Sequence, residues 1–288
     1  MPIHTQDYRH WEGTLNPRPY TRWWLITKAE LKLLAQRKIV RLIVAIPPAI
    51  YILVHAVLIY ILNQVPGAEF PFNIDNGFFQ QFLFRNPSAG PPSSFLIALI
   101  AIFGGSGLIA TDLKNNALTL YLSKPISWID YLIGKCAVIG ILIGCLTLVP
   151  GLLLFLEHVL LTDTSFLKEN YWIPLSIIAY SVIIMLSSSL LMLLFSSLTS
   201  NPRYAIIGFC AVWFGSPIIY EILTEITRTS KIALVSIWAH YDILGTVLFA
   251  GSYNYAVHWV WALLIQIALI AICLFVLHRR IRAVEIVK

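Results

Sequence analysis

Residues 109–135 read IATDLKNNALTLYLSKPISWIDYLIGK. This is a polar interval between two long apolar runs, and its reading decides how the chain folds. Asp112 is placed to cap a following helix, because a carboxylate there can accept from backbone N–H groups two or three residues on. Leu113, Ala117, Leu120 and Tyr121 share one face at helical spacing. Pro125 stops that helix and pushes Lys124 toward an extended conformation. Ser127-Trp128-Ile129-Asp130 then reads as a capping box ahead of the next apolar run. The expectation is two membrane spans joined by a short, stiff, capped helix over Asp112–Leu122.

Composition sets the class. Apolar residues make up 58% of 288 and charged residues only 12%, against about 25% charged in a soluble domain. An all-α integral membrane protein follows, a single domain over residues 1–288. No Gly-x-x-x-x-Gly-Lys-Ser/Thr occurs, so the chain has no P-loop. Gly104-Gly105-Ser106-Gly107 lies inside an apolar span and reads as a close-packing site. Cys136, Cys145, Cys210 and Cys273 sit in apolar runs as small buried hydrophobes, with no metal-ligand spacing.

Residues 1–19 are polar, carry Pro2, Pro17 and Pro19, and read as an extended cytoplasmic arm without a signal peptide. Residues 20–38 read as an interfacial helix, with Lys28, Lys32 and Gln36 on one stripe and Trp23, Ile26, Thr27, Leu31, Leu33 and Leu34 opposite. Trp23 and Trp24, with Lys28 and Lys32, suit the headgroup level, while Glu30 and Arg37 intrude on the apolar face. Six spans follow within residues 40–277, at Val40–Leu62, Ser94–Ala110, Ile133–Leu156, Pro174–Leu198, Tyr204–Tyr220 and Trp259–Leu277. The second and fifth are near the lower length limit. Pro47-Pro48, Pro150-Gly151 and Pro217 should kink or locally open their helices. Residues 278–288 form a cytoplasmic tail.

Of the 20 Lys and Arg residues, 16 fall on one side of these spans, eight of them up to Arg41. Only Arg85, Lys168, Arg228 and Lys231 fall on the other. The positive-inside rule puts both termini in the cytosol. The net charge of +6 is therefore a topology signal and gives no reason to expect nucleic-acid binding. Ile232–Ala250 could be taken for a seventh span, but it contains His240 and Asp242, and charge at mid-membrane is costly. Residues 221–258 read instead as an outer-side excursion of short helices, re-entrant or at the surface. Phe78, Phe79, Phe82 and Phe84 suggest an aromatic-rich outer helix, either interfacial or a lid.

No catalytic set is present. Glu157-His158, His240/Asp242 and His258 read as solvated interfacial residues, and no metal site or cofactor is expected in this chain. The spans carry no central acids, which counts against a proton-coupled secondary transporter. A non-transporting scaffold or assembly subunit would share the hydropathy but need no stiff connector.

The quoted stretch also carries a resemblance. Asp112, Leu118-Thr119-Leu120, Leu122-Ser123-Lys124-Pro125-Ile126-Ser127 and Gly134-Lys135 resemble the signature of ABC-2 type transporter permeases, departing from it at Ala117-Leu118 and at Trp128. Ser236-Ile237-Trp238-Ala239-His240-Tyr241-Asp242 and Gly245 resemble a second stretch of that family, before the last span. The resemblance implies a permease subunit of an export-type ABC transporter in a bacterial or archaeal plasma membrane. Its partners would be membrane lipid, a second permease subunit (an identical copy or a relative) and two copies of a separate ATPase, which would hold ATP and Mg. It also implies that Asp112, Leu113, Lys114, Asn115, Asn116, Ala117, Leu120, Ser123, Pro125 and Ser127 couple to that ATPase. The interfacial helix would supply a second contact.

Sidedness is directly testable. With the four native cysteines replaced, a cysteine at Asn116 should react with a membrane-impermeant maleimide only after the cytosolic face is opened. Labelling from outside intact cells would reverse the topology.

Overall fold

The computed structural model describes residues 22–64, 76–84, 93–122, 126–162, 164–251 and 255–285. The elements are α1 Arg22–Gln36, α2 Lys38–Gln64, α3 Asn76–Leu83, α4 Ser93–Gly105, α5 Ala110–Lys114, α6 Ala117–Leu122, α7 Trp128–Gly144, α8 Leu148–Leu161, α9 Thr164–Glu169, α10 Ile173–Leu198, α11 Pro202–Trp213, α12 Gly215–Thr227, α13 Ile237–Leu248 and α14 Trp259–Glu285. A 3₁₀ turn, Ser230–Val235, precedes α13, and no strand occurs among the described residues.

Six helical stretches are long and apolar enough to cross a membrane: Lys38–Ile61, Ser93–Lys114, Trp128–Leu161, Ile173–Leu198, Pro202–Thr227 and Trp259–Ile281. They match the six expected spans. The second and fifth are longer than their apolar cores suggest, at 22 and 26 residues, because the helices continue into polar ends.

Two of the three expected proline breaks form, and the one expected at Pro47-Pro48 does not. Pro150 cannot donate to the carbonyl of Leu146, and the third span breaks just before it, at Cys145–Thr147. Pro217 cannot donate to Trp213, and the fifth span breaks at Phe214. By contrast, α2 runs through Pro47 and Pro48 without a break. The second span is jointed where its glycines cluster. Ser196 of α10 holds this joint: its Oγ accepts from the N–H of Ile109 at 3.1 Å and of Ala110 at 3.0 Å, and donates to the Ser106 carbonyl at 2.9 Å. A Cβ at Gly104 would lie 2.8 Å from Leu142, and one at Gly105 would lie 2.6 Å from Ile139, so these glycines permit close packing of α4 on α7.

The α3 phenylalanines and two histidines correct the sequence expectations, while a buried α13 fits the re-entrant alternative. The α3 helix is not a surface lid. Phe78, Phe79, Phe82 and Phe84 are all buried, and Tyr51 near the middle of α2 donates to the Phe82 carbonyl at 2.9 Å. Tyr51 stands roughly 20 Å along α2 from Lys38, so α3 folds back into the bundle. The α13 helix is buried as well, packed on α14 and α10. Gln80 of α3 donates to the Asp242 carbonyl at 3.1 Å, to Asp242 Oδ1 at 3.2 Å and to Thr246 Oγ1 at 2.8 Å. His240 is only 2% exposed and is not solvated; burial lowers its pKa and keeps it neutral. His158 is buried too, edge-on to the Phe166 ring.

The tightest approach of two elements on the connector side is α1 on α7. Thr27 Oγ1 donates, at 3.0 Å, to the carbonyls of Trp23 and Gly134. A Cβ at Gly134 would sit 2.9 Å from the Trp23 carbonyl oxygen, which is backbone and cannot swing aside. Gly134→Ala should therefore lower stability by about 1–3 kcal/mol, more than the roughly 1 kcal/mol lost with the Thr27→Ala hydrogen bond. Equal melting midpoints for Gly134→Ala and wild type in detergent would mean that α1 is not seated here.

Candidate functional site

The connector is built differently from the single capped helix expected of Asp112–Leu122. The helix containing Asp112 starts at Ala110, and its cap position, Ile109, makes no side-chain cap. It ends after Lys114, and the chain turns through Asn115 and Asn116, with Asn116 in the left-handed region at φ 52°. Asn tolerates that conformation better than most side chains. A separate helix, α6, follows. Asp112 is thus not spent on a cap, and its carboxylate is free for another partner.

That partner is Lys135. Its side chain is fully buried about two turns into α7. The ammonium lies 2.7 Å from Asp112 Oδ2 and 2.6 Å from Glu30 Oε1. The Tyr131 hydroxyl donates to Asp112 Oδ2 at 2.8 Å. The Tyr121 and Tyr131 rings lie 5.6 and 5.4 Å from the Lys135 nitrogen, within cation–π range. Burial pushes the Tyr121 phenol up, with the Lys135 ammonium pulling it down, so it stays neutral. One buried cation therefore ties together α1, α5, α6 and α7. Isolated, it would be expensive to bury; with two carboxylates it is compensated. The carboxylates remain 13% and 16% exposed, which leaves them partly hydrated.

Glu30 does not spoil the face of α1. Trp23, Ile26, Thr27, Glu30 and Leu34 form one stripe at steps of three and four, and that stripe faces α7. Lys28 and Lys32 are exposed, and Trp24 is 43% exposed.

The capping box at the start of α7 forms as its sequence requires. Ser127 Oγ accepts from the Asp130 N–H at 3.1 Å, and Asp130 Oδ2 accepts from the Ser127 N–H at 3.1 Å. Trp128 packs on His278 of α14, with ring centroids 4.3 Å apart. Of the expected coupling residues, Lys114, Asn115, Asn116 and Ser127 are exposed, Leu113 and Ala117 are half-buried, and Asp112 faces inward. Ser123 and Pro125, and the side chain of Leu120, lie outside what is described. Leu118 is buried.

The arrangement is a buried ion triad beside an exposed turn. It offers an exposed turn, Lys114–Asn116, fixed through a buried ion triad to the ends of two spans and to α1. Among the described residues no group of three His, Cys, Asp or Glu side chains could hold a metal ion. Reading the sequence one helix at a time missed Glu30, Tyr121, Tyr131 and Lys135. The available signals were a glutamate on an apolar stripe and a lysine inside an apolar run, each of which needs a partner.

The triad predicts a specific pattern of stability. Lys135→Met should cost about 3–5 kcal/mol, because it leaves two carboxylates facing one another without a cation. Replacing the three together, with Glu30→Gln and Asp112→Asn added, should recover most of that loss. A single variant as stable as wild type in a detergent melt would show that the triad bears no strain. No curated protein matches the chain. A family model described as an ABC-2 family transporter protein matches residues 19–280, a range that takes in α1, the connector, the triad, the first five spans and all but the last residue of the sixth. The chain therefore belongs to the ABC-2 transporter family and is a membrane permease component.

Proposed function

We propose that this permease forms the membrane-spanning part of an ATP-driven exporter, working as a pair with a second copy and with two copies of a separate ATPase. Both termini lie in the cytosol in this reading. ATP and Mg are held and turned over by the ATPase, and this chain hydrolyses nothing. The observation that carries the proposal is the exposed turn Lys114–Asn116, held to α7 and α1 by the buried Lys135.

The turn and α6 seat on the ATPase, with Lys28 and Lys32 of α1 offering a second, cationic contact. Closure of the ATPases displaces the turn. A flexible loop would absorb that displacement, and the two short helices would do so as well if nothing held them. Lys135 passes the displacement to α7 through Asp112 and to α1 through Glu30. The joint at Ser106–Ile109 lets the lower end of the second span swing while α4 stays packed. Access to a central path then changes. Trp24 and the exposed apolar side chains of α1 keep that helix at the lipid surface during the stroke.

The test uses the permease co-purified with its ATPase in lipid nanodiscs. Lys114→Glu together with Asn115→Asp keeps the fold, since both side chains are exposed. Coupled ATP turnover should fall roughly tenfold, the loss expected when an interface hot spot worth more than about 1 kcal/mol is removed. Membrane abundance should not change. Unaltered turnover, with the ATPase still bound, would rule the coupling role out.

A further inference from the structure

At the end of the bundle opposite the connector, a cavity of about 140 Å³ opens between α12 and α13. Its walls are Phe84, Pro217, Tyr220, Trp238 and Tyr255, with Glu221 beside them. The Phe84 and Trp238 rings stand edge to face at 6.1 Å, and the Tyr220 and Tyr255 rings are 6.4 Å apart. Tyr255 is held in place by its hydroxyl, which donates to Asp242 Oδ2 at 2.9 Å. Phe84 is fully buried and fixed by the Ser94 N–H, which donates to its carbonyl at 3.0 Å.

Its chemistry is one-sided. Among the described residues, four aromatic rings, Ser236, Ala239 and the solvent-exposed Glu221 line it with Pro217, and no Lys or Arg does. The nearby start of α13 is not an open anion site. Ile237 N–H donates to Ser216 Oγ and Ala239 N–H donates to Ser236 Oγ, each at 3.3 Å. Ring quadrupoles and a carboxylate together favour a weakly hydrated cation over a neutral or anionic group. The size suits one alkylated ammonium group and is far below the roughly 300 Å³ at which drug-sized sites begin.

We propose that this pocket binds a small alkylammonium cation of the trimethylammonium class among the rings of Phe84, Tyr220, Trp238 and Tyr255, with Glu221 as counter-ion. The site stands independently of the ATPase-coupling role. The same cation can come from a free solute or from a lipid headgroup.

The probe is radiolabelled choline, measured by equilibrium binding to the full chain in nanodiscs. In phosphatidylglycerol discs binding should be saturable, and Glu221→Gln should weaken it roughly tenfold. Tyr220→Phe, which keeps the ring, should bind as wild type does, and Tyr220→Leu should not. Discs of phosphatidylcholine separate the sources: suppressed choline binding there assigns the site to a headgroup, and equal binding assigns it to a free solute. The neutral isostere 3,3-dimethylbutan-1-ol should fail to compete. Competition by that isostere equal to choline's, absence of saturable binding in phosphatidylglycerol, or unchanged affinity in both Glu221→Gln and Tyr220→Leu would each overturn the proposal.

Discussion

A lysine ammonium removed from water sets the terms for this fold. Lys135 lies about two turns into α7 with its side chain fully buried in the protein, where a lone cation is costly. It can stay charged there only if carboxylates come to it, and they come from two other elements: Glu30 from α1 and Asp112 from α5. Sequence distance gives this contact its effect. Neither carboxylate belongs to α7, so the electrostatic cost of exposing Lys135 resists any separate movement of the three helices. The helix N-terminal to the first span and the joint between the second and third spans are therefore one mechanical unit.

The spans themselves are less uniform. Breaks fall at Cys145–Thr147, at Phe214 and at Ser106–Ile109, and each has a local cause. Two lie just before prolines, where a backbone donor is missing. The third lies in a glycine-rich turn whose freed N–H groups are taken up by Ser196. Such joints are tolerated in an apolar surrounding because the released backbone groups find partners inside the protein. Stiffness is thus concentrated at the triad, and bending at the joints.

Much of this was legible in the sequence, and the limits are physical. Hydropathy rests on a sum over many residues, so the six spans are legible. The capping box was readable because Ser127 and Asp130 are three residues apart, and their partnership is local. Asp112 was misread as a cap because a cap and an ion-pair partner look alike until the distant cation is known. Glu30 reads as an intrusion on its helix face for the same reason, since Lys135 lies 105 residues away. The phenylalanines of α3 and the histidine of α13 were placed at a surface because aromatic and titratable residues are common there. Whether such a residue faces lipid, water or another helix is decided by tertiary packing, which period and composition do not encode.

Burial differs sharply among the spans, and this bears on where force would travel. In the second, third and fourth, 61% of the apolar window is buried within the chain, against 22%, 17% and 22% in the first, fifth and sixth. The interior trio is closely packed, with Gly104 and Gly105 of α4 against α7 and Met192 of α10. The connector joins two members of that trio, and Ser196 ties its upper end to the third. A displacement entering at Asn116 would therefore meet the densely packed centre before the lipid-accessible rim. Dense packing resists graded deformation and favours discrete rearrangement. A push of a few ångströms at the turn would then move the trio as a body, and the sparsely covered outer spans are the ones with room to yield.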